Sequence, residues 1–490
     1  MKVKCGMLIL FVILSVFLTG CEDLSDAING GSDGGDSGTG GTVQDSSAED
    51  VATDKSALDT SDFSFSGSDD ANSVTANFTL PVSGDCGCTI SWSSSNTAVV
   101  SISGGSATVT RPGDADTAVT LTAIISKNGV SATKTLSVNV KKSLLPPPPS
   151  GEGTVCTLHD ISLTVSDTVP AGGKHITGMG GNDGSQSAIV IGDYAYVSSY
   201  PVLVRIDVSN PASPAAAAKK IKTSSNAELY SQKAIAVDDY LFFANGVGRT
   251  SILHLGNPDS PVLLTDINVN AAQMVYTGGL LYVLDTAKTL HIYNISNPWS
   301  VSELGSVTTT ISSSNFQMVV SGSYVYVAGG WSGSRLSIVD VSVPASPSEV
   351  YGGDVGGKLA YTKAAAYSSG RLFMYDVNNR KFFVIDVSDA SAPSVAHEID
   401  DSGRALENTF FVLEGSVLWG VNEGDGNIDK IDLSNPLSPS KLLEKQYGPL
   451  SPGYSPATAA NAAIYGGYLF ISCNDGNSSG VDELVIFPKN

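Results

Sequence analysis

Short runs of alternating apolar and polar residues set the rhythm of this chain, and no long stretch keeps a helical period. Between residues 55 and 142 the runs are 74–80, 89–93, 99–102, 107–110, 119–125 and 133–140, rich in Val, Thr and Ile and separated by turn formers. A period of two in runs this short predicts β-strands, and their spacing predicts a small two-sheet sandwich. From about residue 155 a longer unit repeats. Its first half is a tight turn opening an apolar strand: 192–197 reads Gly-Asp-Tyr-Ala-Tyr-Val, with copies at 238–243, 278–283 and 322–327 and weaker ones from Ser369, Gly415 and Gly466. Successive starts lie 46, 40, 44, 47, 46 and 51 residues apart, about the length of a four-stranded propeller blade. Seven copies predict seven blades.

The second half of each unit is a strand running into a proline-marked turn, as in 204–211, 336–344, 383–388 and 431–436. Each of these strands ends on an aspartate: Asp207, Asp340, Asp386 and Asp432, with His254 and Asn294 in the two remaining clear copies. Carboxylates at one place in successive blades are spread round a ring and cannot converge on one catalytic or metal centre. Capping of the strand-to-turn corner is the expected role. The paired halves resemble the LVIVP-repeat β-propellers of bacterial and archaeal surface proteins, from about Cys156 to the C-terminus. The stretch 90–99, together with 77–81, resembles the atrophied bacterial Ig-like domains of surface proteins. These resemblances imply a spacer or adhesion-type module without catalytic residues, with Trp92 as its core aromatic, and a repeat that implies a fold more firmly than an activity.

The fold class is therefore all-β: a small Ig-like β-sandwich followed by a seven-bladed β-propeller closed by an N-terminal outer strand. The last unit provides only 459–465, 468–473 and 483–488, leaving a strand edge that must be covered. Residues 157–165, with Ile161, Leu163 and Val165 alternating, are placed to supply the missing strand. That closure puts Cys156 and Cys473 in one blade and predicts a disulfide between them, two separate buried thiols being the alternative.

Ahead of the domains, Lys2 and Lys4 precede an apolar run over 7–18 that is too short to span a bilayer comfortably. Leu18-Thr19-Gly20-Cys21 then resembles a bacterial lipobox. The expected organisation is a lipoprotein signal peptide over 1–20, lipidation at Cys21, a flexible Gly/Ser/Asp tether over 21–54, the Ig-like domain over 55–142, a stiff Pro-rich linker over 143–154 and the propeller over 155–490. The expected location is the cell envelope, either the outer membrane or the cell surface. Export permits disulfides, so Cys86 and Cys88 are expected as a small local bridge or as two free thiols.

The formal charge of −21, from 27 basic and 48 acidic residues, argues against nucleic-acid partners, which need a basic face. The five histidines, at 159, 175, 254, 291 and 397, show no metal-ligand spacing. No nucleophile elbow or phosphate loop stands in a folded region, so no enzyme is expected. No cofactor is expected either, apart from calcium at Asp425 and Asp429, where the ordered calcium-loop spacing is missing and a solvated acidic turn is the alternative. Loops between the second and third strands share one face of a propeller, and here they carry Tyr200, Arg249, Trp331, Arg335 and Arg380, with Tyr454 on the last connection. The functional expectation is a monomeric, lipid-anchored module presenting that face to a protein or polysaccharide. An envelope hydrolase or oxidoreductase with its site at the channel mouth is the alternative.

Overall fold

The computed structural model describes residues 46–65, 69–113, 115–169, 173–181, 185–199, 201–231, 233–312, 317–330, 334–400, 408–422, 427–446, 458–465, 467–474 and 482–489. The chain divides into two compact units, the first ending at Lys141 and the second running from Lys142 to Asn490.

The first unit pairs a sheet of Thr89–Ser94, Thr117–Lys127 and Val130–Val140 with a sheet of Ser64–Phe65, Phe78–Thr79, Ser106–Val109 and Val100–Ser103. The inward positions of each alternating run, among them Phe78, Val100, Val119, Leu121 and Val138, form one buried cluster. Trp92 is half-buried, packs edge-on to Phe63 at 5.4 Å between ring centroids, and donates from Nε1 to the Pro81 carbonyl at 2.7 Å. The expected tether over 21–54 is corrected at its end, because Ser47–Ala57 is a helix. It is held by its apolar side: Val51 and, just beyond it, Leu58 pack on Ile90, Ala123 and Ile125. Buried Asp54 accepts from the amides of Cys86 (2.9 Å) and Cys88 (3.3 Å).

Among the described residues the second unit holds seven antiparallel sheets, spanning 185–222, 234–267, 271–308, 317–353, 362–400, 408–446 and 458–488. Each first strand lies against the first strand of the next sheet, and Ser185–Ile191 lies against Thr458–Tyr465, so the series closes into a β-propeller ring. The second and third strands are buried on both faces between neighbouring sheets, and their sequences are accordingly largely apolar, as in Tyr240–Ala244 and residues 382–385. Hairpin turns joining the first two strands need left-handed backbone. Gly278 and Gly279 supply it at φ 59° and 83°.

Closure differs from the expected single strand over 157–165. Thr157–Ser162 joins the first sheet as a fifth strand, pairing with Ala217–Lys222, and Thr154–Val155 pairs with the second sheet at Val262 and Leu263. The last sheet is completed by a hairpin: Gly173–Thr177 pairs with Asp482–Pro488, and Thr164–Val169 pairs outside it. The segment thus crosses the outer edges of three sheets, and Leu163, expected mid-strand, marks the passage from one sheet to the next.

This route removes the Cys156–Cys473 disulfide. Cys156 is a free, buried thiol packed with Tyr196, Leu203, Leu241 and Phe243 at the boundary of the first and second sheets, whereas Cys473 stands in the seventh. The Cys86–Cys88 bridge is also absent. Cys88 is free and buried, Cys86 belongs to a different disulfide, and the turn between them is closed by the Asp54 carboxylate instead.

The start of the expected stiff linker over 143–154 is seated on the propeller. Leu145 is buried among Val237, Tyr240 and Ile295, Tyr240 donates its hydroxyl to the Pro146 carbonyl at 2.6 Å, and Asp238 accepts from the Ser143 hydroxyl and the amides of Leu144 and Leu145. The start of the linker is therefore part of the propeller, seated at the turn between the first two strands of the second sheet.

Candidate binding face

The strand-end aspartates do cap the corner. Asp207, Asp340, Asp386 and Asp432 each accept from the amide of the serine two residues on, at 3.0, 2.8, 2.9 and 2.8 Å, and Asn294 does the same for Ser296 at 2.9 Å. Hydrogen bonds from the hydroxyl and amide of Ser342 hold the Asp340 carboxyl below its ordinary value. The amide and hydroxyl of Ser388 do so for Asp386, with help from Arg371 at 2.9 Å. These groups ring one face of the propeller, the same face that carries the hairpin turns and receives the linker.

The opposite face holds the loops between second and third strands and the connections from one sheet to the next. In the second sheet the loop is preformed. Asn245, at the end of strand Tyr240–Ala244, accepts from the amides of Val247 and Arg249 at 3.2 Å each and donates to the Ser251 hydroxyl at 3.1 Å. The tip residue Val247 is 70 % exposed. Arg249 projects beside it, its guanidinium 3.6 Å from Asp266, and Tyr230, on the connection entering the same sheet, is 41 % exposed. The fifth sheet uses a buried carboxylate for the same purpose. Asp376 accepts from the amides of Ala360, Tyr361 and Asn379, which holds the loop carrying exposed Arg380 with its backbone left-handed at φ 51°.

Of the residues singled out in the sequence, Arg249 and Arg380 are thus exposed on the loop face. Arg335 is engaged in the fold, its Nε donating to the Ala360 carbonyl at 3.0 Å and so tying the fourth sheet to the fifth. Tyr200, Trp331 and Tyr454 lie outside the described residues, as do Cys21 and Asp425. Asp429 does not stand in a loop: it lies within strand Asn427–Asp432, buried, opposite Gly420 and Glu444. Among the described residues no three His, Cys, Asp or Glu side chains gather into a metal set. Val247 and Tyr230 were missed because a lone apolar residue between glycines, and a tyrosine outside any strand, carry no periodic signal.

Residues 51–143 match the family model of the atrophied bacterial Ig domain. Residues 184–219, 270–309, 316–352 and 373–401 match the LVIVD repeat. The chain carries an atrophied bacterial Ig domain and a run of LVIVD repeats. These matches bear out the expected Ig-like domain followed by a repeat propeller. No curated protein matches the chain. Among solved structures, BamB from Moraxella catarrhalis is similar at 14 % identity over 68 % of this chain and 98 % of its own, with a TM-score of 0.42. Sqt1 of Saccharomyces cerevisiae is similar at 11 % identity over 69 % and 99 %, with a TM-score of 0.42. A protein from Lactobacillus plantarum is similar at 13 % identity over 60 % and 97 %, with a TM-score of 0.45.

Proposed function

We propose that the LVIVD propeller is a protein-binding module, lipid-anchored in the cell envelope through Cys21 and presenting its loop face to the partner. The observation that carries this reading is the placement of the linker. Leu145 and Pro146 dock at the hairpin turn of Asp238 on one face, and the preformed loop of Val247 and Arg249 stands on the other. The chain thus enters the propeller on the face opposite that loop, which supports the loop face as the one offered to a partner. An apolar tip beside an arginine and a tyrosine is the composition of a protein contact, in which aromatic and arginine residues dominate the energy.

Two measurements test the two halves separately. Cys21→Ser moves the protein from the membrane fraction to the soluble fraction; retention in the membrane fraction rejects the anchor. For the face, intact chain and a Val247→Asp, Arg249→Glu variant are compared for retention of envelope proteins and, separately, of envelope polysaccharide. Loss of specific protein retention in the variant supports the reading. Polysaccharide retention alone, or protein retention unchanged by the substitutions, rejects it.

A further inference from the structure

First strands stand at the inner edges of their sheets, so every second residue of each turns its amide toward the centre of the ring. The molecule serves several of these amides with side-chain oxygens from a recurring position, the one opposite the fifth residue of the second strand. In the first sheet that position is Ser187, opposite Ser198, and its hydroxyl accepts from the Ala234 amide of the second sheet at 3.1 Å. In the fourth sheet it is Gln317, opposite Ala328. Gln317 Oε1 accepts from the amides of Ala365 at 2.9 Å and Phe411 at 3.2 Å, and its Nε2 donates to the Phe411 carbonyl at 2.9 Å. One side chain thus bridges the first strands of the fourth, fifth and sixth sheets, which places this position inside the ring.

In the second sheet the same position is Lys233, whose carbonyl accepts from the Ala244 amide at 2.8 Å. The inward amide of the following sheet is that of Met274, next to Gln273, which occupies the position there opposite Leu284. A lysine has three donors and no acceptor, so Lys233 cannot give the Met274 amide the oxygen that Ser187 gives to Ala234. Among the described residues Lys233 has no hydrogen-bond or ion-pair partner of its own. The chain holds 48 acidic residues against 27 basic, yet no carboxylate offsets the burial that pushes this amine below the ordinary lysine value. The side chain is nevertheless only partly buried, so solvent and small solutes reach it.

We propose that Lys233 binds the carboxylate of a small molecule inside the ring of first strands, with the Met274 amide as a second donor. The carboxylate supplies the acceptor that Ser187 and Gln317 supply in other sheets, and its charge compensates the ammonium, which a neutral carbonyl does not.

The test uses the intact chain in carboxylate-free buffer and measures binding of acetate, lactate and benzoate by calorimetry and ligand-observed NMR, each beside its neutral amide and beside inorganic phosphate. At least one carboxylate binds at about one per chain, and at least about tenfold more tightly than its amide. Lys233→Met, shown to be folded by circular dichroism, binds that carboxylate at least about tenfold more weakly, whereas Lys219→Met, on an outer strand, binds it as wild type does. Wild type that binds none of the three carboxylates, or binds the amides equally well, overturns the proposal without recourse to any variant. Binding of phosphate to the exclusion of carboxylates overturns it, as does carboxylate binding unchanged by Lys233→Met.

Discussion

At the scale of single residues, polar groups in this molecule mostly secure backbone. The corner aspartates accept from amides two residues on, and this sets a dependence on acid. The folded carboxyls of Asp340 and Asp386 lie below their ordinary values, so each stabilises the fold fully above the unfolded value of about 3.9, and the contribution is lost as the pH falls through the folded one. Between about pH 5 and about pH 2 the urea midpoint of the wild type should therefore fall further than that of an Asp340→Asn, Asp386→Asn variant. Solvent screening keeps each contribution under about 1 kcal/mol. Equal acid sensitivity in the two proteins would show that the corners hold without charge. Cys88 and Cys156, the free thiols among the described residues, behave in the opposite sense. Burial, and for Cys88 also the nearby Asp54 carboxyl, push Cys88 and Cys156 up to about 11, so both remain protonated and unreactive at neutral pH. Alkylation with iodoacetamide, without reductant, should leave both unmodified in native protein and label both in urea. A Cys156 that resists labelling in urea would indicate a disulfide after all.

At the scale of elements, legibility in the sequence followed burial. Second and third strands, enclosed on both faces, read as largely apolar runs and gave the repeat its period. Fourth strands did not, because Ser302–Thr308 alternates only between exposed and half-buried positions. In that strand a side chain at Gly305 would come within 2.6 Å of the Pro344 carbonyl, so the fit to the neighbouring turn requires the smallest residue. The linker misled for a related reason. Four consecutive prolines read as a rod, while Leu145, the second of two leucines before them, with the carboxylate of Asp238 about 90 residues away, fixes its start to the second sheet. Leu145→Ala should cost about 2–3 kcal/mol in urea unfolding, the lower part of the range for a buried leucine because the site borders solvent and can partly collapse. A cost below about 0.5 kcal/mol would mean that the linker start is not docked in solution.

At the scale of the whole molecule, the ring is held shut by one segment, and its distribution over three sheets was not legible in the sequence. An alternating run such as 157–165 announces a strand, but the partner of a strand is set by where the chain can reach. Leu163 lies where the segment leaves the first sheet for the seventh, and nothing in the run marks that crossing. The pair of His175 and Glu483 was hidden for the same reason, since its members meet only when the first and last parts of the propeller pair. Such a segment closes the largest loop in the domain and protects the edge of Asp482–Pro488, which would otherwise expose unpaired amides and carbonyls. Its own contribution is substantial: Ile176 is fully buried with Ala188, Val204 and Leu484, and Val169 packs with Trp419 and Phe487. A propeller lacking residues 142–177 should therefore lose cooperative thermal unfolding and elute from a sizing column as aggregate, because three sheets lose their outermost strands at once. Adding a peptide of residues 142–177 during refolding should restore a monomeric, cooperatively melting ring, since the pairing partners remain and only the covalent link is missing. If the shortened propeller instead melts cooperatively as a monomer without the peptide, the inner strands close the ring by themselves and the N-terminal segment is only a cover.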